Sequence, residues 1–251
     1  MKLKDILLDD AVCNNFLSYI HDKKGDSAFE FINDIPMYID KLGKKIWVIN
    51  QSFTTIIKDE IIDLIESNDI RSINIGENTI FDPKVEQKLK LLNFSSNQQG
   101  ISVYNKKTFP IIQRLSDKYF LEAVDKDNFE ESVQFLYDED FYPASIKVWK
   151  ETYQENILGF IIRDKNGQIV ANASCVYQTE DFGVIWGVAT NEKHRRQGLA
   201  THLTLQLVTT LMNMGKKSLL YFTEDKIGRF YGKMGFETKH TLITYWRKNN
   251  K

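Results

Sequence analysis

The chain is 251 residues long, room for one large domain or two of about 100–150 residues. Hydrophobic residues make up 42% and charged residues 27%, which suits a globular protein with a full core and excludes a disordered chain. With 33 basic against 34 acidic side chains the net charge is −1, and this argues against nucleic acid as the main partner, because neutralising a phosphate backbone needs a basic face.

Residues 1–112 are expected to form an N-terminal accessory α/β domain. Helices are predicted at 3–21 and 28–35, a strand at 45–51 and a helix at 54–67. A strand at 71–75, a helix at 83–92 and a strand at 100–104 follow. Residues 105–113, with Lys106, Lys107 and Pro110, read as a linker. Residues 117–251 form the second predicted domain. It begins with a strand at 119–124 and a helix at 128–137, whose apolar positions are Phe129, Val133, Phe135 and Leu136. A helix at 143–154 has Pro143 near its first turn. A strand at 159–163 leads into Asn166-Gly167, a strong hairpin signal, and strands at 169–177 and 182–190 come next. Leu199, Leu203, Leu207 and Leu211 stripe a helix at 199–214. Gly215 caps it, and Lys216 and Lys217 suit its negative end. A strand at 218–222, a helix at 226–233 and a strand at 241–247 close the chain. The fold class is mixed α/β (α+β), with a mixed central sheet flanked by helices in the C-terminal half and a smaller α/β domain before it.

Weak internal similarity links the halves. Ser72-Ile73-Asn74-Ile75 leads through a helix to Asn93-Phe94, as Ser218-Leu219-Leu220-Tyr221 leads to Gly235-Phe236. The N-terminal half thus reads as a degenerate copy or as a chance match.

No apolar run approaches the ~20 residues of a membrane span, so no membrane partner is expected. Residues 1–10 mix Lys and Asp with apolar side chains, unlike a secretory signal. Cys13 and Cys175 have no metal spacing, and His21, His194, His202 and His240 form no ligand set. The expectation is a cytoplasmic protein without a metal.

The most informative stretch is His194-Arg195-Arg196-Gln197-Gly198-Leu199-Ala200-Thr201, between a predicted strand and a predicted helix. The first helical N–H groups lack intrahelical partners, and the helix dipole puts partial positive charge at the same end. An anion such as a diphosphate satisfies both. Gly198 permits close backbone approach, and small Ala200 leaves the first turn open. The bland alternative is a basic turn ahead of a core helix.

Arg195-x-x-Gly198-x-Ala200 after a strand resembles the signature of the GNAT superfamily of acyl-CoA N-acyltransferases. Phe230-Tyr231-Gly232-Lys233-Met234-Gly235-Phe236 is similar to the Tyr-x-x-x-Gly-Phe ending of the same fold. The order of elements also matches, over roughly residues 121–247. The resemblance implies acetyl-CoA or a longer acyl-CoA as co-substrate. It implies pantetheine pairing at Val188, Ala189 and Thr190, and pyrophosphate binding by Arg195, Arg196, Gln197, Gly198, Leu199, Ala200 and Thr201. By the same resemblance the Val188 region polarises the thioester carbonyl, and Tyr231 protonates the departing thiolate. The chain departs from the pattern at Glu224 and Ile227, where the family has Asn and Ala. Glu224 reads either as a general base for the amine or, with Thr223 and Asp225, as part of a helix cap.

The implied activity is direct acetyl transfer to a primary amine, on a small molecule or a peptide, in a ternary complex. A homodimer is left open. A non-catalytic acyl-CoA sensor and a pure interaction module are the other readings. Asp181, Trp186 and Glu192 flank the expected cleft, with a turn residue, a packed aromatic and a loop charge as their plain roles. His194 reads as a solvated loop side chain, Cys175 as a buried thiol, and His202 has no assigned role.

Overall fold

A computed structural model describes residues 27–41, 43–48, 54–139 and 158–248. The helices predicted at 3–21 and 143–154 lie outside these residues. The first elements are β1 (Ser27–Ile32), β2 (Ile35–Asp40), β3 (Lys45–Val48), β4 (Thr55–Ile57), α1 (Glu60–Ser67) and β5 (Ser72–Gly76). Then come β6 (Thr79–Phe81), α2 (Pro83–Leu91), β7 (Phe94–Tyr104), β8 (Phe120–Ala123), α3 (Phe129–Asp138) and β9 (Leu158–Arg163). The remainder is β10 (Ile169–Gln178), β11 (Phe182–Thr190), a 3-10 turn (Glu192–His194), α4 (Leu199–Asn213), β12 (Lys217–Phe222), α5 (Asp225–Met234) and β13 (Phe236–Arg247). The chain divides into two compact units, one of Met1–Ser102, Phe222–Arg229 and Thr238–Lys251, the other of Val103–Tyr221 and Phe230–Glu237.

In the first unit, the helix predicted at 28–35 is instead a hairpin of β1 and β2, with Ile32 opposite Ile35. Asn33 and Asp34 both have positive φ, at 48° and 63°, the backbone that a two-residue hairpin turn needs. That turn chemistry outweighs the apolar spacing that suggested a helix. The helix predicted at 54–67 begins only at Glu60. Its β-branched start, Thr55-Ile56-Ile57, pairs in parallel with Thr79–Phe81, burying Thr55 and Ile57 and exposing Ile56. Asp82 caps α2 by accepting from Lys84 N at 2.9 Å, with Pro83 in the first turn. Strand β3 runs parallel to β5, and β13 returns antiparallel to β5, with Ile243 opposite Ile75. Ile46, Ile61, Ile65, Ile73 and Val85 fill the core between these elements.

In the second unit, β8, β9, β10 and β11 are antiparallel neighbours, and β11 then runs parallel to β12. Helix α3 covers one sheet face, packing Phe129, Val133 and Leu136 with Ile161 and Ala189. Helix α4 covers the other. Gly183 permits its close seat, since a Cβ there would meet the Leu211 side chain and lie 2.8 Å from Cys175 Sγ. The long strands β7 and β13 start at Phe94 and Phe236, ahead of the predicted 100 and 241. Ser95-Ser96-Asn97-Gln98-Gln99 has a strand's alternating exposure but no apolar signal to announce it.

Candidate functional site

Strand β11 changes neighbours along its length. Its parallel ladder with β12 runs from Phe182 opposite Lys217 to Ile185 opposite Leu220 and stops there. Its antiparallel ladder with β10 continues to Thr190 opposite Ala171. Among the described residues, 187–190 therefore have a strand neighbour on one side only. This places Val188, Ala189 and Thr190 on an open backbone edge.

The chain then makes a compact turn. Asn191 caps the 3-10 segment, accepting from Lys193 N at 3.2 Å and donating from Nδ2 to Glu139 Oε1 at 2.7 Å. Arg195 is 58% exposed; its Nε donates to Thr190 O at 3.0 Å and its Nη2 lies 3.9 Å from Glu139 Oε2. This arginine thus braces the end of β11 as well as carrying charge. Arg196 and Gly198 both have positive φ, at 61° and 78°. Turns of this kind can aim successive N–H groups at one anion. A Cβ on Gly198 would meet nothing within 4 Å, so its backbone angle, not space, calls for glycine.

Gly198 is also the N-cap of α4. It offers no side-chain cap, and the first turn holds no acidic residue. Leu199 is buried, while Ala200 and Thr201 are half-buried. The N–H groups and the positive dipole end are thus left uncompensated by the chain itself. Helix α1, the counterpart in the first unit, also lacks a side-chain cap bond but differs in charge: Asp59 at its N-cap and Glu60 and Asp63 in its first turn place three carboxylates at its start. Its dipole is already satisfied, so it is a poor anion site.

Sequence reasoning missed the residues that hold this turn. Tyr119 is buried, and its hydroxyl lies 3.0 Å from His194 Nδ1 and donates to Gln197 Oε1 at 2.9 Å. The His194 ring packs edge-on against the Tyr119 ring at 5.8 Å. His194 is therefore a bonded, half-buried side chain rather than a solvated one. His202 Nδ1 lies 2.9 Å from the Gln113 carbonyl, which accepts its proton. These partners are 75 to 89 residues apart in sequence, so no local pattern reveals them.

Tyr231 sits on α5 and is only 7% exposed. Its ring packs against Phe230 at 5.2 Å and Phe236 at 5.8 Å. Burial pushes its phenol up to about 12. Glu224, one residue before α5, is exposed and pairs with Lys226 Nζ at 2.6 Å. Its carbonyl accepts from Ile227 N and Gly228 N, opening the helix. Asp181 turns the chain and accepts from Lys217 N through its carbonyl. Trp186 packs against the α3 core. Glu192 is exposed in the 3-10 segment. Cys175 is fully buried, and desolvation pushes its thiol up to about 12, so it is no nucleophile. Among the described residues, no group of three or more His, Cys, Asp or Glu is placed to hold a metal. No described helix is long and apolar enough to cross a membrane.

Comparison with known proteins bears on the family and the fold. The family model described as GNAT acetyltransferase matches residues 54–245. A GCN5-related N-acetyltransferase from Kribbella flavida superposes with a TM-score of 0.65 at 14% identity, covering 95% of each chain. Another, from Sphaerobacter thermophilus, gives a TM-score of 0.64 at 10% identity over 98% of this chain and 93% of that one. A tandem GNAT protein from the clavulanic acid biosynthesis pathway gives 0.59 at 10% identity over 99% and 92%. At these identities the likeness concerns the fold. No curated protein sequence matches the chain.

Proposed function

The chain belongs to the GNAT acetyltransferase family, and on that premise we propose that it moves an acetyl group from acetyl-CoA to a primary amine by direct transfer. The observation that carries this reading is the junction of β11 and α4. An open backbone edge over 187–190 leads, through the turn of residues 191–198, into a helix whose first turn has no acid and no side-chain cap. The edge fits the amides of a pantetheine arm as an added strand would, and the helix start fits its diphosphate. Arg196 is exposed and adds charge to the same turn.

The acceptor, an ammonium near pKa ~10.4 in water, must lose a proton before it attacks the thioester carbon. The Val188 N–H polarises the carbonyl oxygen as negative charge gathers there. Tyr231 serves the sulfur. With its phenol near 12, it stays protonated throughout the working range. Complete transfer to a thiolate of pKa about 8.5 would run uphill by roughly 3–4 units, about 5 kcal/mol. The phenol therefore donates a hydrogen bond to the sulfur as the C–S bond breaks. It passes its proton only as it receives one from the amine nitrogen, so phenolate does not accumulate. Glu224, held on Lys226 at the helix start, fits a structural role better than that of a base.

The test is free-thiol release from acetyl-CoA across a panel of polyamines, aminoglycosides, amino acids and peptides. Tyr231→Phe keeps both ring contacts and removes only the hydroxyl. It is expected to lower kcat about tenfold to a hundredfold with CoA affinity unchanged. An unaltered rate in Tyr231→Phe would remove the tyrosine from the mechanism. A wild-type protein that binds acetyl-CoA but acetylates no amine would favour a sensor.

A further inference from the structure

The ladder between β10 and β11 contains a bulge. Asn172 stands opposite Ala189 and Ser174 opposite Trp186. Between those pairs lies one residue of β10, Ala173, but two of β11, Gly187 and Val188. Gly187 has φ of +63°, and a Cβ on it would lie 3.1 Å from Leu136 Cδ1 and 3.2 Å from Asn172 Nδ2. The left-handed backbone favours glycine here, and a side chain would press on Leu136 and Asn172.

A buried polar network holds the bulge. Asn172, 0% exposed, donates from Nδ2 to the Gly187 carbonyl at 2.8 Å and approaches Ser174 Oγ at 3.4 Å. Its Oδ1 accepts from Ser132 Oγ, on α3, at 3.1 Å. Ser132 and Ser174 are themselves buried. A fully buried amide costs free energy unless its bonds are met, and an apolar side chain would pack this face at lower cost.

The peptide joining Gly187 to Val188 is planar and trans, so its C=O and N–H point in opposite directions. Asn172 draws the carbonyl toward β10. The Val188 N–H then points away from the Asn172 amide, and the β12 ladder, which ends at Ile185, does not extend to it. We propose that Asn172, oriented by Ser132, is a positioning residue for acyl transfer: it fixes the Gly187–Val188 peptide so that the Val188 N–H faces the thioester carbonyl oxygen. The inference rests on the acyl-CoA reading above.

The test uses the whole protein and acetyl-CoA labelled with 13C at the carbonyl. Infrared difference spectra report the polarisation of the bound carbonyl, and calorimetry reports affinity for acetyl-CoA and CoA. In the wild type, binding lowers the carbonyl stretching frequency. Asn172→Leu abolishes most of that displacement, changes CoA affinity by no more than about threefold, and slows thiol release about tenfold or more. A role confined to stability would lower the melting temperature and leave the carbonyl frequency of bound acetyl-CoA as in the wild type, and that result overturns the inference. If Asn172→Leu does not fold, Ser132→Ala retains the asparagine but lets its amide rotate. It should lose part of the displacement, and an unchanged frequency overturns the inference. A wild type that binds acetyl-CoA without a carbonyl displacement also overturns it. A wild type that does not bind acetyl-CoA instead overturns the reading on which it rests.

Discussion

Two glycines of the second unit are required for different reasons, and that difference is measurable. Gly198 needs its left-handed backbone and has open space around it, whereas Gly183 needs room beneath Leu211 and beside Cys175. Gly198→Ala should cost about 1–2 kcal/mol of backbone strain and weaken acetyl-CoA binding. Gly183→Ala should cost about 1–3 kcal/mol through overpacking of α4 and leave binding much less affected. Denaturant unfolding and calorimetric titration of both variants check the contrast. Tyr231 and Cys175 contribute to the alkaline limit, as do Tyr104 and Tyr245, whose phenols burial also raises. Burial raises Tyr231 and Cys175 to about 12 in the folded chain, so the folded state favours their neutral forms. Their stabilising contribution is complete below the unfolded values near 9–10 and is lost as pH rises toward about 12. Unfolding free energy should fall across that window, and by less in Tyr231→Phe.

The contrast between α1 and α4 gives a prediction with opposite signs. An acid at the start of α4 should help the helix and harm the ligand. Thr201→Asp is expected to stabilise the fold by about 0.3–1 kcal/mol through the dipole, yet to weaken acetyl-CoA binding. Unchanged affinity for acetyl-CoA in Thr201→Asp would show that this helix end is not the anion site. The strand–turn–helix junction was legible because its residues are contiguous: the apolar run of β11, then Arg195 to Gly198, then the leucine stripe of α4. The stretch 28–35 and the first residues of 54–67 are short apolar stretches whose spacing fits a helix, yet both depart from the helix expected there. Their partners decide otherwise: β2 lies across the Asn33-Asp34 turn, and β6 lies over 20 residues away. Tyr119, Glu139, Ser132 and Asn172 stayed hidden for the same reason. Each acts through a side-chain bond to a residue 15 to 78 positions away.

At the scale of the whole chain, the two units repeat one scheme. In each, antiparallel strands lead into a strand that pairs in parallel with the strand after a helix: β3 with β5 across α1, with the short β4 also between them, and β11 with β12 across α4. This gives the faint internal similarity of the sequence a topological basis. The copies differ in chemistry, since only α4 among these two helices starts without acid. The account therefore predicts one acyl-CoA site per chain. Isothermal titration of the protein with acetyl-CoA tests this most directly. Saturable heat at a stoichiometry of one per chain is the predicted result; no heat, or two sites per chain, would contradict the account.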